Sequence, residues 1–129
     1  MSKLAITKQL NLDVDTAITR VTEAIKEIGF GVLTRIDFDV KIKEKLQENM
    51  PKTVILGACN PRLAYEAYKQ NTDALLLIPC NIVIRETGPS TSLIEAMRPT
   101  VMIEQLVQVK NTETILDAEK NLERVISTL

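Results

Sequence analysis

Histidine and tryptophan are absent from this 129-residue chain, and cysteine occurs only twice. Without histidine there is no Ser-His-Asp or Cys-His catalysis and none of the usual zinc sites. The two cysteines, Cys59 and Cys80, do not form Cys-x-x-Cys, so neither a zinc ribbon nor a thioredoxin-type dithiol is supported. The four glycines, Gly29, Gly31, Gly57 and Gly88, lie scattered and build neither GxGxxG nor a P-loop. Aromatic residues make up 3% of the chain, too few for a base-stacking platform. Basic and acidic side chains number 16 and 17, so the basic excess of a phosphate binder is missing and no nucleic-acid partner is expected. No apolar run approaches the roughly 20 residues that span a bilayer, and no membrane partner is expected. The opening Met1-Ser2-Lys3-Leu4-Ala5-Ile6 has no long apolar stretch of the secretory kind. With two cysteines, this points to a cytoplasmic protein with free thiols.

What is present is an ordinary globular balance, 45% hydrophobic and 26% charged, over a length that suits one domain spanning residues 1–129. With so few aromatics, the core must come from Ile, Leu, Val, Ala and Met. Residues 3–10 read as a first strand. Val14, Ala17, Ile18, Val21, Ala24, Ile25 and Ile28 then follow helical spacing, with Asp13 as N-cap and Gly29 past the end. Phe30 to Ile36 reads as a second strand. Asp39 is placed as the cap of a short charged helix that runs to about Glu48.

Thr53 to Gly57 is a third strand, and Asn60-Pro61 opens a helix to about Gln70, with Asn at N-cap and Pro at the first helical position. Ala74 to Ile78 is apolar and reads as a buried strand, with Pro79 at a bulge or edge. Asn81–Thr87 and Thr91–Met97 form a hairpin across the four-residue connection Thr87-Gly88-Pro89-Ser90. Pro99 starts a short helix carrying Met102, Ile103, Leu106 and Val107 on one face. Asn111 or Thr112 starts a last helix with Ile115, Ala118, Leu122, Val125, Ile126 and Leu129. The sum is a two-layer α+β domain, a mostly antiparallel sheet with helices on one face. The sheet's other face is then either polar and wet or covered by a second copy.

Both cysteines precede asparagine and neighbour proline, in Ala58-Cys59-Asn60-Pro61 and Pro79-Cys80-Asn81. A strand running through Gly57 into an Asn-Pro helix start points backbone N–H groups at the space ahead, where an anion can bind or a thiol pKa can fall. Arg62 adds positive charge. Cys59, Asn60, Arg62, Cys80 and Asn81 are therefore the candidate ligand-binding residues. The plainer account makes Asn60 a cap, Cys59 a buried small hydrophobe, Arg62 a solvated charge and Asn81 a partner for freed backbone groups. The two Cys-Asn pairs would share a rim if residues 61–70 were a crossover between parallel strands. Tyr65 and Tyr68 read as a shield for the seam between helix and sheet, Arg85, Glu86, Glu95 and Arg98 as cross-strand charges, and Asp37 and Asp39 as capping groups.

Ile28-Gly29-Phe30-Gly31-Val32-Leu33, Ile55-Leu56-Gly57-Ala58-Cys59-Asn60-Pro61 and Leu77-Ile78-Pro79-Cys80-Asn81-Ile82-Val83-Ile84-Arg85-Glu86 together resemble the domain of unknown function 302 family, as does Met97-Arg98-Pro99. The likeness spans nearly the whole chain. It implies a compact α+β fold with a curved antiparallel sheet of the TATA-binding-protein-like class, and a homodimer. It implies no reaction, cofactor or catalytic residue. Where the family carries Asp-Pro before the closing helices this chain has Arg98-Pro99, which weakens that helix cap.

Three functional expectations follow. The first is a cytosolic homodimeric module that binds a small polar or anionic ligand without catalysis, with no cofactor, catalytic residue or metal ligand assigned. The second is a thiol-based redox sensor or thiol enzyme using Cys59 or Cys80, activated by the helix end, Arg62 or the other cysteine. Capture of a soft ion by the two thiolates is a minor form of it. The third is a structural dimerisation or adaptor domain.

Overall fold

The computed structural model describes residues 4–106 and 112–129. Its elements are β1 (Ala5–Leu10), α1 (Val14–Lys26), β2 (Gly31–Asp37), α2 (Phe38–Leu46), β3 (Thr53–Cys59), α3 (Pro61–Gln70), a 3-10 helix (Thr72–Leu77), β4 (Cys80–Gly88), β5 (Thr91–Met97), α4 (Pro99–Ile103) and α5 (Thr112–Ser127). Five strands make one sheet in the order β1-β5-β4-β3-β2, and every neighbouring pair is antiparallel. Helices pack on this sheet, as the α+β expectation requires.

Strand alternation decides which face is covered. Val54, Leu56 and Ala58 on β3 point the same way as Ile82 and Ile84 on β4 and Ile94 and Ala96 on β5. All are buried, in one cluster with Val14, Ala17, Ile18, Val21 and Ile25 of α1 and Leu122, Val125 and Ile126 of α5. The α1 stripe is the one its spacing predicts, and Asp13 Oδ1 accepts from Thr16 N at 3.3 Å to cap it. Gly29, at φ 86, takes the left-handed turn that leads from α1 into β2.

Four segments differ from the sequence expectation, each for a local reason. Residues 74–78 are not a strand. Asn71 Oδ1 accepts from Asp73 N at 2.9 Å and starts the 3-10 helix, which buries Ala74 and leaves Leu75 57% and Leu76 83% exposed. The hairpin β4–β5 closes with Gly88 opposite Thr91, so its loop is the pair Pro89-Ser90 rather than four residues, with an irregularity between Glu86 and Gly88. α2 begins at Phe38, so Asp39 lies inside its first turn and instead accepts from Thr53 N at 3.0 Å, pinning α2 to the start of β3. Tyr65 and Tyr68 stack on each other with centroids 6.2 Å apart but are exposed, so they shield no seam. Val107 and Asn111, assigned above to the last two helices, lie outside the described residues.

Arg98 precedes α4 without making a side-chain cap bond. The capping carboxylate comes from α5 instead: Glu119 Oε1 accepts from Thr100 N at 3.0 Å and from Thr100 Oγ1 at 2.6 Å. Arg98 in turn holds Glu119 and Glu123. The missing Asp of the Arg98-Pro99 junction is thus replaced across space, and α4 is fixed to α5.

Candidate functional site

A shared rim for the two Cys-Asn pairs was expected only of parallel strands, and the structure reaches that rim the other way. Because Cys80 opens β4 instead of following a strand, the antiparallel ladder brings the end of β3 to the start of β4. Ala58 lies opposite Cys80 and Gly57 opposite Asn81, leaving Cys59 one residue beyond. α3 and the 3-10 helix form the long link between these two ends.

Over this rim sits a partly open cavity of about 70 Å³. Cys59, Asn60 and Cys80 line it, with Phe30 beneath and Leu63, Ala64 and Ala67 of α3 on one side. Leu77 and Ile78 close a second side, and Pro99, Met102, Ile103, Leu106 and Ile115 a third. Glu66 and Gln70 are its other polar neighbours. The walls are therefore nearly all hydrocarbon and sulfur.

Each candidate residue has a definite place. Asn60 caps α3, its Oδ1 accepting from Leu63 N at 3.3 Å, as Asn60-Pro61 predicts. Arg62 is exposed and does not line the cavity. Asn81 is exposed and, by alternation with buried Ile82, faces the uncovered side of the sheet. The five residues are thus split: Arg62 and Asn81 stay outside, while Cys59, Asn60 and Cys80 border one cavity. Met102, which the sequence argument placed only on a helix face, joins them: Cys80 Sγ lies 3.2 Å from Met102 Sδ. Its i, i+1, i+4 grouping with Ile103 and Leu106 was the available signal.

Both cysteines are free. Burial pushes the Cys59 thiol above its ordinary range. Burial also pushes Cys80 up to about 11, and a charge on Cys59 adds to the effect. Both shifts favour the protonated thiol, the reverse of what an activated nucleophile needs. Two further charge pairs lie away from the cavity lining. Arg85 Nε lies 2.9 Å from Glu95 on the uncovered face, and Arg35 pairs with Asp37 at 2.9 Å.

The uncovered face has an apolar corner. Ile36 lies opposite Ile55, and by alternation both point away from the core. Ile36 is 46% exposed, Leu33 at the β2 bulge is 62% exposed, and Phe38, Val40 and Leu46 of α2 are exposed nearby. β2 is an edge strand.

Among curated proteins, none matches this chain. Among solved structures, a similar one is the crystal structure of an uncharacterized conserved protein DUF302 from Bacillus stearothermophilus. The two share 24% identity and a TM-score of 0.77, over 98% of this chain and 95% of that one. At that identity the likeness bears on the fold alone. The family model described as domain of unknown function DUF302 matches residues 6–129, the whole of the sheet and its helices save the first residue of β1. The chain belongs to the DUF302 family.

Proposed function

We propose that this protein is a non-catalytic, cytosolic, homodimeric module that binds a small ligand in the cavity over Cys59, Asn60 and Cys80. The observation that carries the proposal is the cavity itself, built where two strand ends, a capped helix start and three further helical segments converge. Its lining also defines the ligand. Among the described residues Glu66 is the one charged side chain in the lining and Arg62 is not there, so none of them offers an anion a countercharge. The ligand is small, uncharged and mainly apolar, a revision of the polar or anionic one expected from sequence. Dry cavities of about 150 Å³ accept benzene, so this smaller, partly open one suits a group of a few heavy atoms. The protonated state of both thiols favours binding over thiol catalysis.

The test is a thermal-shift series with short aliphatic alcohols, dimethyl sulfide and benzene. A ligand at ten times its Kd adds about 1.4 kcal/mol, a Tm rise of roughly 4–6 °C for a domain of this size. Ala67→Leu pushes a larger side chain into the cavity and is expected to remove the rise while the variant stays folded. No shift with any probe in the parent protein would end the binding proposal.

The dimer rests on the corner formed by Leu33, Ile36 and α2. An exposed apolar edge strand invites pairing, and a second copy offers the same patch in a self-complementary arrangement. Sedimentation equilibrium at micromolar concentration is expected to give the mass of two chains, and that of one chain for Ile36→Lys. A single-chain mass for the parent protein at every concentration would refute the dimer.

A further inference from the structure

We infer that Glu119, on α5 and outside the cavity lining, is a positioning residue that latches α4 as a lid over the Cys80 end of the cavity and so controls access to it. α4 brings Pro99, Met102 and Ile103 to the cavity, and Cys80 Sγ donates to Met102 Sδ at 3.2 Å. The lid therefore lies directly against the thiol at the start of β4. It has little hold of its own. Five residues are too few for a helix to persist unaided. Pro99 is its one buried residue, and Arg98 at its head makes no side-chain cap bond.

What holds the lid is a carboxylate from another element. Glu119 Oε1 accepts from Thr100 N at 3.0 Å and from Thr100 Oγ1 at 2.6 Å, and hydrogen bonds to an ionised acceptor are the stronger kind. The Glu119 side chain is only 14% exposed, so water competes weakly for those bonds. Arg98 Nη1 lies 3.3 Å from Glu119 Oε2 and keeps the carboxylate turned toward Thr100. The backbone N–H of Arg98 donates to Leu4 O at 2.9 Å, which fixes the chain just before α4. α4 is thus tied at its head by Arg98 N–H and the Glu119 pair, and at Met102 by a weak thiol contact. Loss of the Glu119 bonds frees the lid to swing from Arg98, which uncovers Cys80 and opens the apolar pocket.

The effect on affinity rests on the ligand reading above, but reagent access to Cys80 reports the lid without any ligand, so the two fail separately. Iodoacetamide labelling of the full chain, followed cysteine by cysteine with peptide mass spectrometry, tracks the open population. Glu119→Ala is expected to label Cys80 about tenfold faster than the parent and to bind benzene about tenfold more weakly, because affinity scales with the closed fraction. Glu119→Gln keeps an oxygen for both Thr100 donors and should stay within about threefold of the parent. Thr100→Val loses the hydroxyl bond alone; its expected rise is about threefold, and it serves should Glu119→Ala not fold. Asp13→Ala removes the α1 cap, away from the cavity lining, and should lower Tm with no change in Cys80 labelling. Parent-like Cys80 labelling in both Glu119→Ala and Thr100→Val would overturn the latch, and so would Glu119→Gln labelling as fast as Glu119→Ala. Faster labelling in Glu119→Ala, with no probe binding to the parent, would uphold the latch and end the ligand proposal alone.

Discussion

Gly57→Ala should lower the unfolding free energy by about 2–3 kcal/mol, the cost of forcing a methyl into a filled space. A Cβ built at Gly57 meets Thr34 Oγ1 at 2.1 Å and Pro79 Cγ at 2.6 Å. The two contacts differ in kind. Thr34 sits on the edge strand β2 and its hydroxyl can rotate away, whereas the Pro79 ring is held between the cavity-lining residues Ile78 and Cys80. Thr34→Ala should therefore recover little of the loss in a double variant, and Pro79→Ala should recover more. Urea denaturation of the three single and two double variants measures this. Full recovery with Thr34→Ala would show that the proline contact carries no cost. Because Pro79 borders Cys80, the strain lands at the cavity rim, and ligand response should fall with stability.

Alkaline pH should destabilise the protein by about 2–3 kcal/mol through Cys80 alone. The thiol's ordinary value is 9.0 and burial raises it to about 11 in the folded chain. Between these values the unfolded chain loses the proton and the folded chain keeps it, so the folded state binds more protons and stability falls as pH rises. The stabilisation is complete below about pH 9 and gone above about pH 11. Lysines and tyrosines titrate in the same range, so the diagnostic quantity is the difference between the parent and Cys80→Ala. Across that window the parent should lose the stated amount more than the variant. Parallel stability profiles for the two would mean that the folded thiol ionises as freely as the unfolded one.

Where the sequence was legible, a local rule coincided with the tertiary outcome. The α1 stripe, Asp13 at its start and Asn60-Pro61 at the head of α3 each satisfy a short-range requirement that packing has no cause to override. Residues 74–78 show the limit: a short apolar run reads equally as strand or buried helix. The deciding signal was Asn71, whose side chain satisfies a backbone donor two residues on. That misassignment carried over to the site. Treating Cys80 as the residue after a strand made parallel geometry look necessary, whereas as the first residue of β4 it needs the antiparallel one. Met102 was hidden for another reason: its contact with Cys80 spans 22 residues and exists only once α4 docks. Arg62 and Asn81 follow the same logic in reverse. Adjacency in sequence to Asn60 and Cys80 placed them at the site, but helix rotation and strand alternation turn their side chains away.

The pairing of β1 with β5 sets Ala5 opposite Met97. A nascent chain therefore carries β1 without a partner until β5 has been made about 90 residues later, and closing so long a loop is slow. During that interval Ile6 and Leu10, which end in the core, face solvent. Chaperone engagement and aggregation would both act on this segment during synthesis.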